Sequence, residues 1–220
     1  MLSSYFNITV ITEWAAFIAA LVLLDKRTGQ WRFFKIFAFI AILLDATGWY
    51  LSYIARQNNN LPYNLFLLVN ALFFIWVFSM ATPKMKRLCY WLMVAFSLAW
   101  LTNFIFGQGM FIYNSYTEIT GDVILAFLSC YLFYRLLTQE QYVNLFAYEY
   151  FWLAAGLLLS ALGSMLLYLF LDALQRYHDT TGINLYGYIN YTVNVLLYGS
   201  LIIAFICRRK NSRPVSLSPL

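Results

Sequence analysis

Residues 63–81 read YNLFLLVNALFFIWVFSMA, and residues 82–87, which follow them, read TPKMKR. The first stretch holds no charged residue, and its length is close to the ~20 residues that an α-helix needs to cross a ~30 Å hydrocarbon layer. The proline and the cations behind it are typical of a helix that ends at a membrane surface. The stretch therefore predicts a transmembrane helix.

Blocks of the same kind recur along the chain. Across the 220 residues 63% are hydrophobic and 10% are charged, whereas a soluble domain carries roughly a quarter charged residues. Seven apolar blocks predict transmembrane helices, at residues 5–24, 33–55, 63–81, 88–106, 117–137, 149–172 and 187–207. We predict an all-α fold, a polytopic bundle of seven transmembrane helices. Residues 1–210 form one transmembrane domain, and residues 211–220 are expected to be a disordered cytoplasmic tail.

The basic residues predict the orientation of this bundle. Of the 14 Lys and Arg residues, all but Arg56 and Arg176 fall on one side of the predicted topology. Short loops rich in Lys and Arg stay in the cytoplasm. We therefore expect the N-terminus outside and the C-terminus in the cytoplasm. The net charge of +5 reports this topology, and nucleic acid is not an expected partner.

An internal repeat is suggested by several matches. Residues 43–48 (LLDATG) align with residues 158–163 (LLSALG), and the Thr-Glu pair at 12–13 aligns with the pair at 117–118. Asn70 of the third span can likewise face Asn194 of the seventh. The matches suggest a 3+1+3 pseudo-repeat with the fourth span as a linker. A chain so rich in Leu and Tyr also produces such matches by chance.

Acidic and amide side chains inside the predicted spans are the candidate functional residues. Ionisable groups cost a few kcal/mol inside a bilayer, and they mark functional sites by default. The candidate ligand-binding residues are Asp45, Asp122, Glu118, Glu13, Asn70, Asn194 and Asn190. They predict a polar, acidic cavity that opens to the outside. No Lys or Arg is expected at that depth, so the carboxyl groups are either protonated or balanced by a bound cation, a cationic ligand or a proton.

Hydration and structural hydrogen bonding are the alternative roles for these residues. Hydration at the interface explains Glu13 and Glu118 as well, and hydrogen bonding between helices is the default for membrane asparagines. Asp45 is the most deeply placed acid, and it is expected to meet Asn70 or Asn194 across the bundle. A protonated carboxyl bonded to a neighbouring helix remains the alternative for it.

Aromatic and small residues favour structural roles. Trp31, Tyr63, Tyr113 and Tyr186 lie near predicted span ends and are interpreted as interface anchors. A stripe of small residues on the sixth span predicts a close approach by another helix; its members are Gly156, Ser160, Gly163 and Ser164.

Several chemistries lack the residues they need. The cysteines have no C-x-x-C spacing, and His178, in a predicted outer loop, is the only histidine, so neither a metal centre nor a cofactor is predicted. A retinal Schiff base needs a lysine inside the last span, which has none before Lys210 at its end. G-x-S-x-G, P-loop and G-x-G-x-x-G motifs are also missing from the 220 residues.

Residues 151–156 (FWLAAG) and 189–198 (INYTVNVLLY) resemble stretches of small, uncharacterised seven-helix bacterial membrane proteins. They are also similar to the seven-helix sensory segments that precede some histidine kinases. The resemblance implies a sensory or accessory module of the cytoplasmic membrane of a bacterium, with a cytoplasmic or membrane signalling partner. The Gly121-Asp122 pair is similar to the lysoplasmalogenase family, although the rest of that pattern does not match.

Three functional hypotheses follow. The leading one is a non-enzymatic module of the lipid bilayer that binds a small ligand or cation in the outer cavity. The second is a small-solute transporter built from repeated halves around a midplane site. The third is a lipid-modifying enzyme with Asp45 and Asp122 as an acid/base pair, which requires the two carboxyl groups to converge.

Overall fold

The computed structural model describes residues 8–109, 111–138 and 144–212, and every regular element in these ranges is helical. The described α-helices are α1 (Ile8–Leu23), α2 (Phe34–Trp49), α3 (Asn60–Ala81), α4 (Lys86–Phe106), α5 (Ser115–Leu137), α6 (Glu149–Leu169), α7 (Leu171–Thr181) and α8 (Leu185–Asn211). Helix α2 follows a 3₁₀ segment, Lys26–Phe33, and runs on into a π-helical turn, Tyr50–Ile54. The predicted all-α class is confirmed.

Six segments are long and apolar enough to cross a membrane; they are Thr28–Ile54, Asn60–Ala81, Pro83–Phe106, Ser115–Leu137, Glu149–Leu169 and Leu185–Asn211. Helix α1 is also apolar, but its 16 described residues extend only about 24 Å at the ~1.5 Å rise of an α-helix. Large apolar side chains face outward on these helices, as Val22 and Phe106 do, and lipid is the solvent that tolerates them. The chain is a multi-pass membrane protein, and the count of seven spans stays a prediction.

Helix α7 occupies a region that we expected to be an outer loop. The sixth span ends at Leu169 rather than at residue 172, and a new helix starts at Leu171. Its sequence, LDALQRYHDTT, alternates apolar and polar residues at helical spacing, so it can cover the bundle with one face. It ends at Gly182, whose φ of 72° is the left-handed C-cap conformation that glycine adopts most readily. His178 is therefore helical.

The helices form a closed ring. Helix α1 packs against α2, α2 against α3, α3 against α5, α5 against α6, α6 against α8, and α8 against α1. Helix α4 packs outside this ring, on α3 and α5. A ring of this kind has an interior, and its two ends differ in composition. We call the end where α1, α3, α5 and α8 begin the cavity end, and the opposite end the core end.

Aromatic rings fill the ring interior at the core end. Phe34 is 1% exposed and contacts Trp31, Phe74 and Phe205, with ring centroids 5.1, 6.3 and 5.2 Å away. Phe37 packs edge to face on Phe74 at 5.2 Å. Rings at these separations and tilts attract one another beyond their burial. The core end is therefore closed, and Trp31 belongs to its core instead of anchoring the interface.

At the same end, ion pairs tie the end of α8 to the start of α6 and to the segment that follows α1. Arg208 of α8 lies 2.9 Å from Glu149 of α6 and donates to the carbonyl of Thr28. Asn211 donates to the other Glu149 oxygen at 2.7 Å. Arg209 pairs with Asp25. Helix α8 thus continues to Asn211, the first residue of the predicted tail, and residues 213–220 of that tail lie outside the described residues.

Candidate functional site

A cavity of about 770 Å³ lies inside the ring at the cavity end. Helices α1, α2, α3, α5, α6, α7 and α8 all contribute to its lining. Every residue predicted from the sequence to bind a ligand is among the lining residues, namely Glu13, Asp45, Asn70, Glu118, Asp122, Asn190 and Asn194. The structure therefore brings all of them together, whereas ligand binding itself stays a prediction.

The cavity has an apolar floor, because the ring helices change from polar to apolar within one turn. Asn70 lines the cavity and Phe74, one turn further along α3, is buried in the core. The same change occurs from Tyr198 to Leu201 on α8. On α5, Asp122 is followed by the buried Leu125. The cavity accordingly ends above the aromatic core.

The first acidic pair joins α1 and α2. Glu13 is 8% exposed and accepts a hydrogen bond of 2.7 Å from the hydroxyl of Tyr198 on α8. Asp45 lies near enough to Glu13 for their charges to interact, and it accepts a longer bond, 3.4 Å, from the hydroxyl of Tyr63. The second oxygen of Glu13, Oε2, is buried and has no hydrogen-bond partner among the described residues. This pair therefore keeps one acceptor free.

Gly48 leaves room for the hydrogen bond between Tyr63 and Asp45. A Cβ added at Gly48 would lie 2.6 Å from the Tyr63 hydroxyl, which is closer than real Cβ atoms approach. Tyr63 can therefore lie across α2 only because residue 48 has no side chain. This explains the glycine one turn beyond Asp45. The structure corrects our expectation that Asp45 meets Asn70 or Asn194, since its described hydrogen-bond donor is Tyr63.

The second acidic pair lies on α5. Glu118 and Asp122 are one helical turn apart, and both line the cavity. The hydroxyl of Tyr113 donates to Glu118 at 2.5 Å and accepts from the hydroxyl of Tyr168 at 3.1 Å, while the two tyrosine rings stack with centroids 5.5 Å apart. Oδ2 of Asp122 is buried without a hydrogen-bond partner in the described part of the chain. This pair also keeps one acceptor free.

Asparagines hold Tyr113 in place. The side-chain amide of Asn64 donates to the carbonyl of Ile112 at 2.9 Å, and its oxygen accepts from the backbone N–H of Asn114 at 2.9 Å. Asn60 donates to the carbonyl of Phe111 at 2.7 Å. Burial raises the pKa of Tyr113 well above its ordinary value, and the neighbouring Glu118 charge raises it further. The phenol therefore stays protonated and acts as a donor to Glu118.

The amides have a local role as well. On α8, Asn194 donates to the backbone carbonyl of Asn190 at 2.8 Å and to its side-chain oxygen at 3.1 Å. Both therefore lie on the cavity face of one helix. Asn70 lines the cavity from α3 on the other side. Asn103, by contrast, bonds to Thr117 and Gln108 and contributes to the α4–α5 contact.

Tyrosines are the site residues that sequence reasoning missed. Those lining the cavity are Tyr63, Tyr113, Tyr168, Tyr186, Tyr191 and Tyr198. Tyr63, Tyr113 and Tyr186 were interpreted as interface anchors, and this is wrong because they face the ring interior. A signal existed for Tyr113, which precedes Glu118 by five residues and lies two residues before the start of α5. For Tyr198 no local signal exists, because Glu13 is 185 residues away.

The small residues of α6 have two roles: the glycines contact α8, and the serines line the cavity. A Cβ on Gly156 would lie 2.6 Å from Cβ of Ser200, and one on Gly163 would lie 2.3 Å from Cγ2 of Val193. The predicted close approach of another helix is thus confirmed at both glycines, and the helix is α8. Ser160 lies between these two contacts and Ser164 follows the second, and both serines line the cavity.

The charged side chains in the described cavity lining are acidic. Its acidic lining residues are Glu13, Asp45, Glu118, Asp122 and Asp179, and Lys and Arg are missing from the described lining. The one basic candidate is His178 on α7, which is exposed. No three His, Cys, Asp or Glu residues within the described ranges lie close enough to hold a metal ion.

The fold and this site together define a multi-pass membrane protein with a tyrosine-rich, acidic cavity at one end of a closed helical ring. Comparison of the chain with family models, with curated proteins and with solved structures found no match in any of the three.

Proposed function

We propose that this protein is a non-enzymatic sensory or accessory module of a bacterial cytoplasmic membrane that binds a small organic cation in the cavity. One observation carries the proposal: buried and half-buried acids line the cavity from two sides without a described Lys or Arg beside them. A charge inside a bilayer needs a partner, and among the described residues the donors to Asp45, Glu118 and Glu13 are tyrosine hydroxyl groups. A positively charged ligand would supply the missing partner.

The remaining lining fits an organic cation. A volume of about 770 Å³ lies within the range of small-molecule sites, which extends from roughly 300 to 1,000 Å³. Tyrosine faces attract ammonium groups by cation–π interaction, by roughly 0.5 to 2 kcal/mol each. Apolar side chains such as Leu44, Phe66 and Leu197 would cover the carbon part of the ligand.

Helix α8 offers a path from the ligand to a partner. It contributes Asn194 and Tyr198 to the cavity, and it reaches the core end, where Arg208 and Asn211 hold Glu149 of α6. A ligand that draws Tyr198 toward itself would therefore act on a helix whose far end is clamped. We infer that the core end, with its basic residues, faces the cytoplasm and meets the signalling partner there.

The orientation has its own test. Reporter fusions after Gly107 and at the C-terminus should give an outside signal at Gly107 and a cytoplasmic signal at the C-terminus. The reverse pattern would place the cavity toward the cytoplasm and overturn the proposal of an external ligand.

The binding proposal is tested with purified full-length protein in detergent. We expect n-butylammonium to raise the midpoint of thermal unfolding in a saturable way, and butyrate at equal ionic strength to leave it unchanged. Asp45→Asn should reduce the butylammonium effect, because it removes one of the acids that line the cavity. Asp172→Asn is the matched control, because Asp172 is an exposed acid on α7 that does not line the cavity. No saturable effect of any amine, or equal effects of both ions, would overturn the proposal.

The helix order favours a second candidate function, a small-solute transporter. Helices α1–α2–α3 and α5–α6–α8 are two triplets of consecutive contacts, they meet as α3 on α5 and α8 on α1, and α4 packs outside the ring. This order agrees with the 3+1+3 repeat suggested by the sequence, and repeated halves around a central site are typical of transporters. Uptake of labelled butylammonium into proteoliposomes, absent with Asp45→Asn, would favour transport over sensing.

The enzyme hypothesis receives no such support. It requires Asp45 and Asp122 to converge, whereas the charged neighbour of Asp45 is Glu13 and that of Asp122 is Glu118.

A further inference from the structure

We infer that the ligand carries two positive charges separated by a carbon chain, as in a linear diamine or polyamine. This inference rests on the proposed function, since it names the chemical class of the ligand in the same cavity. It comes from how the acids are divided around the ring. Two separate pairs are present, one on α1 and α2 and the other on α5.

The two pairs lie on different walls. Glu13 and Asp45 belong to helices that contact each other, and Glu118 and Asp122 share one helix. Around the ring, α3 separates α2 from α5 on one side, and α6 and α8 separate α5 from α1 on the other. No three of these acids approach closely enough to hold one metal ion, so the described carboxyl groups do not merge into a single cluster. A single compact cation would therefore engage one pair and leave the other.

The two acidic pairs have the same hydrogen-bond arrangement. A tyrosine hydroxyl donates to one acid of each pair, from Tyr198 to Glu13 and from Tyr113 to Glu118. Each pair also keeps one buried carboxyl oxygen without a described hydrogen-bond partner, Oε2 of Glu13 and Oδ2 of Asp122. A buried acceptor without a donor costs roughly 1 to 3 kcal/mol. One ammonium group at each wall would satisfy both acceptors.

The apolar part of the cavity lining suits a methylene chain. Ala41, Leu44, Leu67 and Val193 line the same cavity as the acids. Asn70 on α3 adds a carbonyl acceptor that could bind a secondary amine of a longer polyamine. An apolar chain with a charged group at each end therefore matches this combination of lining residues. When two ammonium groups are joined by a chain, binding of the first makes binding of the second intramolecular. The overall affinity then exceeds that of either group alone.

Calorimetric titration of the full-length protein in detergent tests the inference. We expect 1,4-diaminobutane to bind with a stoichiometry of one and at least 30-fold more tightly than n-butylammonium, its matched monoamine. Asp45→Asn and Asp122→Asn should each bring the diamine close to the monoamine affinity. Asp172→Asn should leave the affinity for the diamine unchanged. Where Asp122→Asn does not fold, Glu118→Gln replaces it at the same wall.

The outcomes separate this inference from the proposed function. If both amines bind saturably with equal affinity, or if only one of Asp45→Asn and Asp122→Asn weakens the binding of the diamine, the inference of a diamine ligand is overturned. The proposed binding of an organic cation is unaffected by either result. Binding of neither amine would overturn both. A longer diamine, such as 1,6-diaminohexane, that binds more tightly than 1,4-diaminobutane would support the inference and report the spacing of the two walls.

Discussion

The two ends of the helical ring differ in how their acidic side chains are partnered. At the core end, Glu149 faces Arg208 at 2.9 Å and also accepts from Asn211, so the buried carboxylate is fully partnered. At the cavity end, the described part of the chain offers Glu13 a single hydrogen bond, from the hydroxyl of Tyr198. Buried acids without a charged partner lower stability, and perturbed acids of this kind cluster at functional sites. We therefore expect the core end to contribute most of the stability and, under the proposed function, the cavity end to bind the ligand.

The largest effect should come from the aromatic core. Phe74 is 1% exposed and contacts Phe34, Phe37 and Phe73. We expect Phe74→Ala to cost about 3 kcal/mol, because it leaves a void among close-packed rings. Unfolding in detergent or mixed micelles measures this loss. Phe127→Ala is the matched control, since Phe127 is 53% exposed on α5 and should lose little. Equal losses would mean that the core end is not the stable end.

The ion pairs of the core end should rank next. Arg208→Ala leaves the Glu149 carboxylate, 5% exposed, without its cation, and we expect a loss of about 2 kcal/mol. Arg209→Ala serves as the control, because its partner Asp25 has a 39% exposed side chain and exposed pairs contribute under ~1 kcal/mol. The same unfolding assay decides. A larger loss in Arg209→Ala would contradict the assignment of stability to the Glu149 pair.

The seam between α6 and α8 crosses from one end to the other and should show an intermediate effect. Gly156→Ala places a Cβ 2.6 Å from that of Ser200, so the two helices must separate, and we expect a loss of roughly 1 to 2 kcal/mol. Gly199→Ala, on the facing helix, meets nothing within 4 Å and should be neutral or stabilising by up to about 1 kcal/mol. Similar losses in both variants would show that helix propensity, not the close approach, decides at this seam.

The cavity end should respond least in stability and most in binding. Tyr198→Phe removes the donor to Glu13 and should cost about 1 kcal/mol. Tyr191→Phe is the control, because Tyr191 lines the cavity and is 36% exposed. Thermal unfolding with and without n-butylammonium measures both effects. A loss as large as that of Phe74→Ala would make Tyr198 part of the core and would remove the distinction between the two ends.

Much of this organisation could be predicted from the sequence. The spans were located within a few residues, because uninterrupted apolar blocks such as residues 63–81 can be stable only in lipid. The candidate acids were also recognisable, since Asp45 and Asp122 interrupt apolar blocks and a charge there is costly. These inferences depend on local composition, which any reader of the chain can see.

Partners that lie far apart in the sequence could not be predicted in this way. The contact of Tyr198 with Glu13 depends on α8 closing the ring against α1, and the contact of Tyr63 with Asp45 depends on the missing side chain of Gly48. Helix α7 was missed for a related reason, since its many polar residues look like a loop until the bundle beneath it gives its apolar face something to cover.

The sequence by itself determined that this protein lives in a membrane, roughly where its helices begin and end, and which side chains are too polar for lipid. Only the tertiary structure decided that those side chains share one cavity and divide into two acidic pairs, that tyrosines and not asparagines partner the acids, and that the opposite end is closed by aromatic rings. The physical reason is that transfer into lipid depends on each segment's own composition. A cavity depends instead on which helix faces meet, and every helix of the ring must be in place before that is defined.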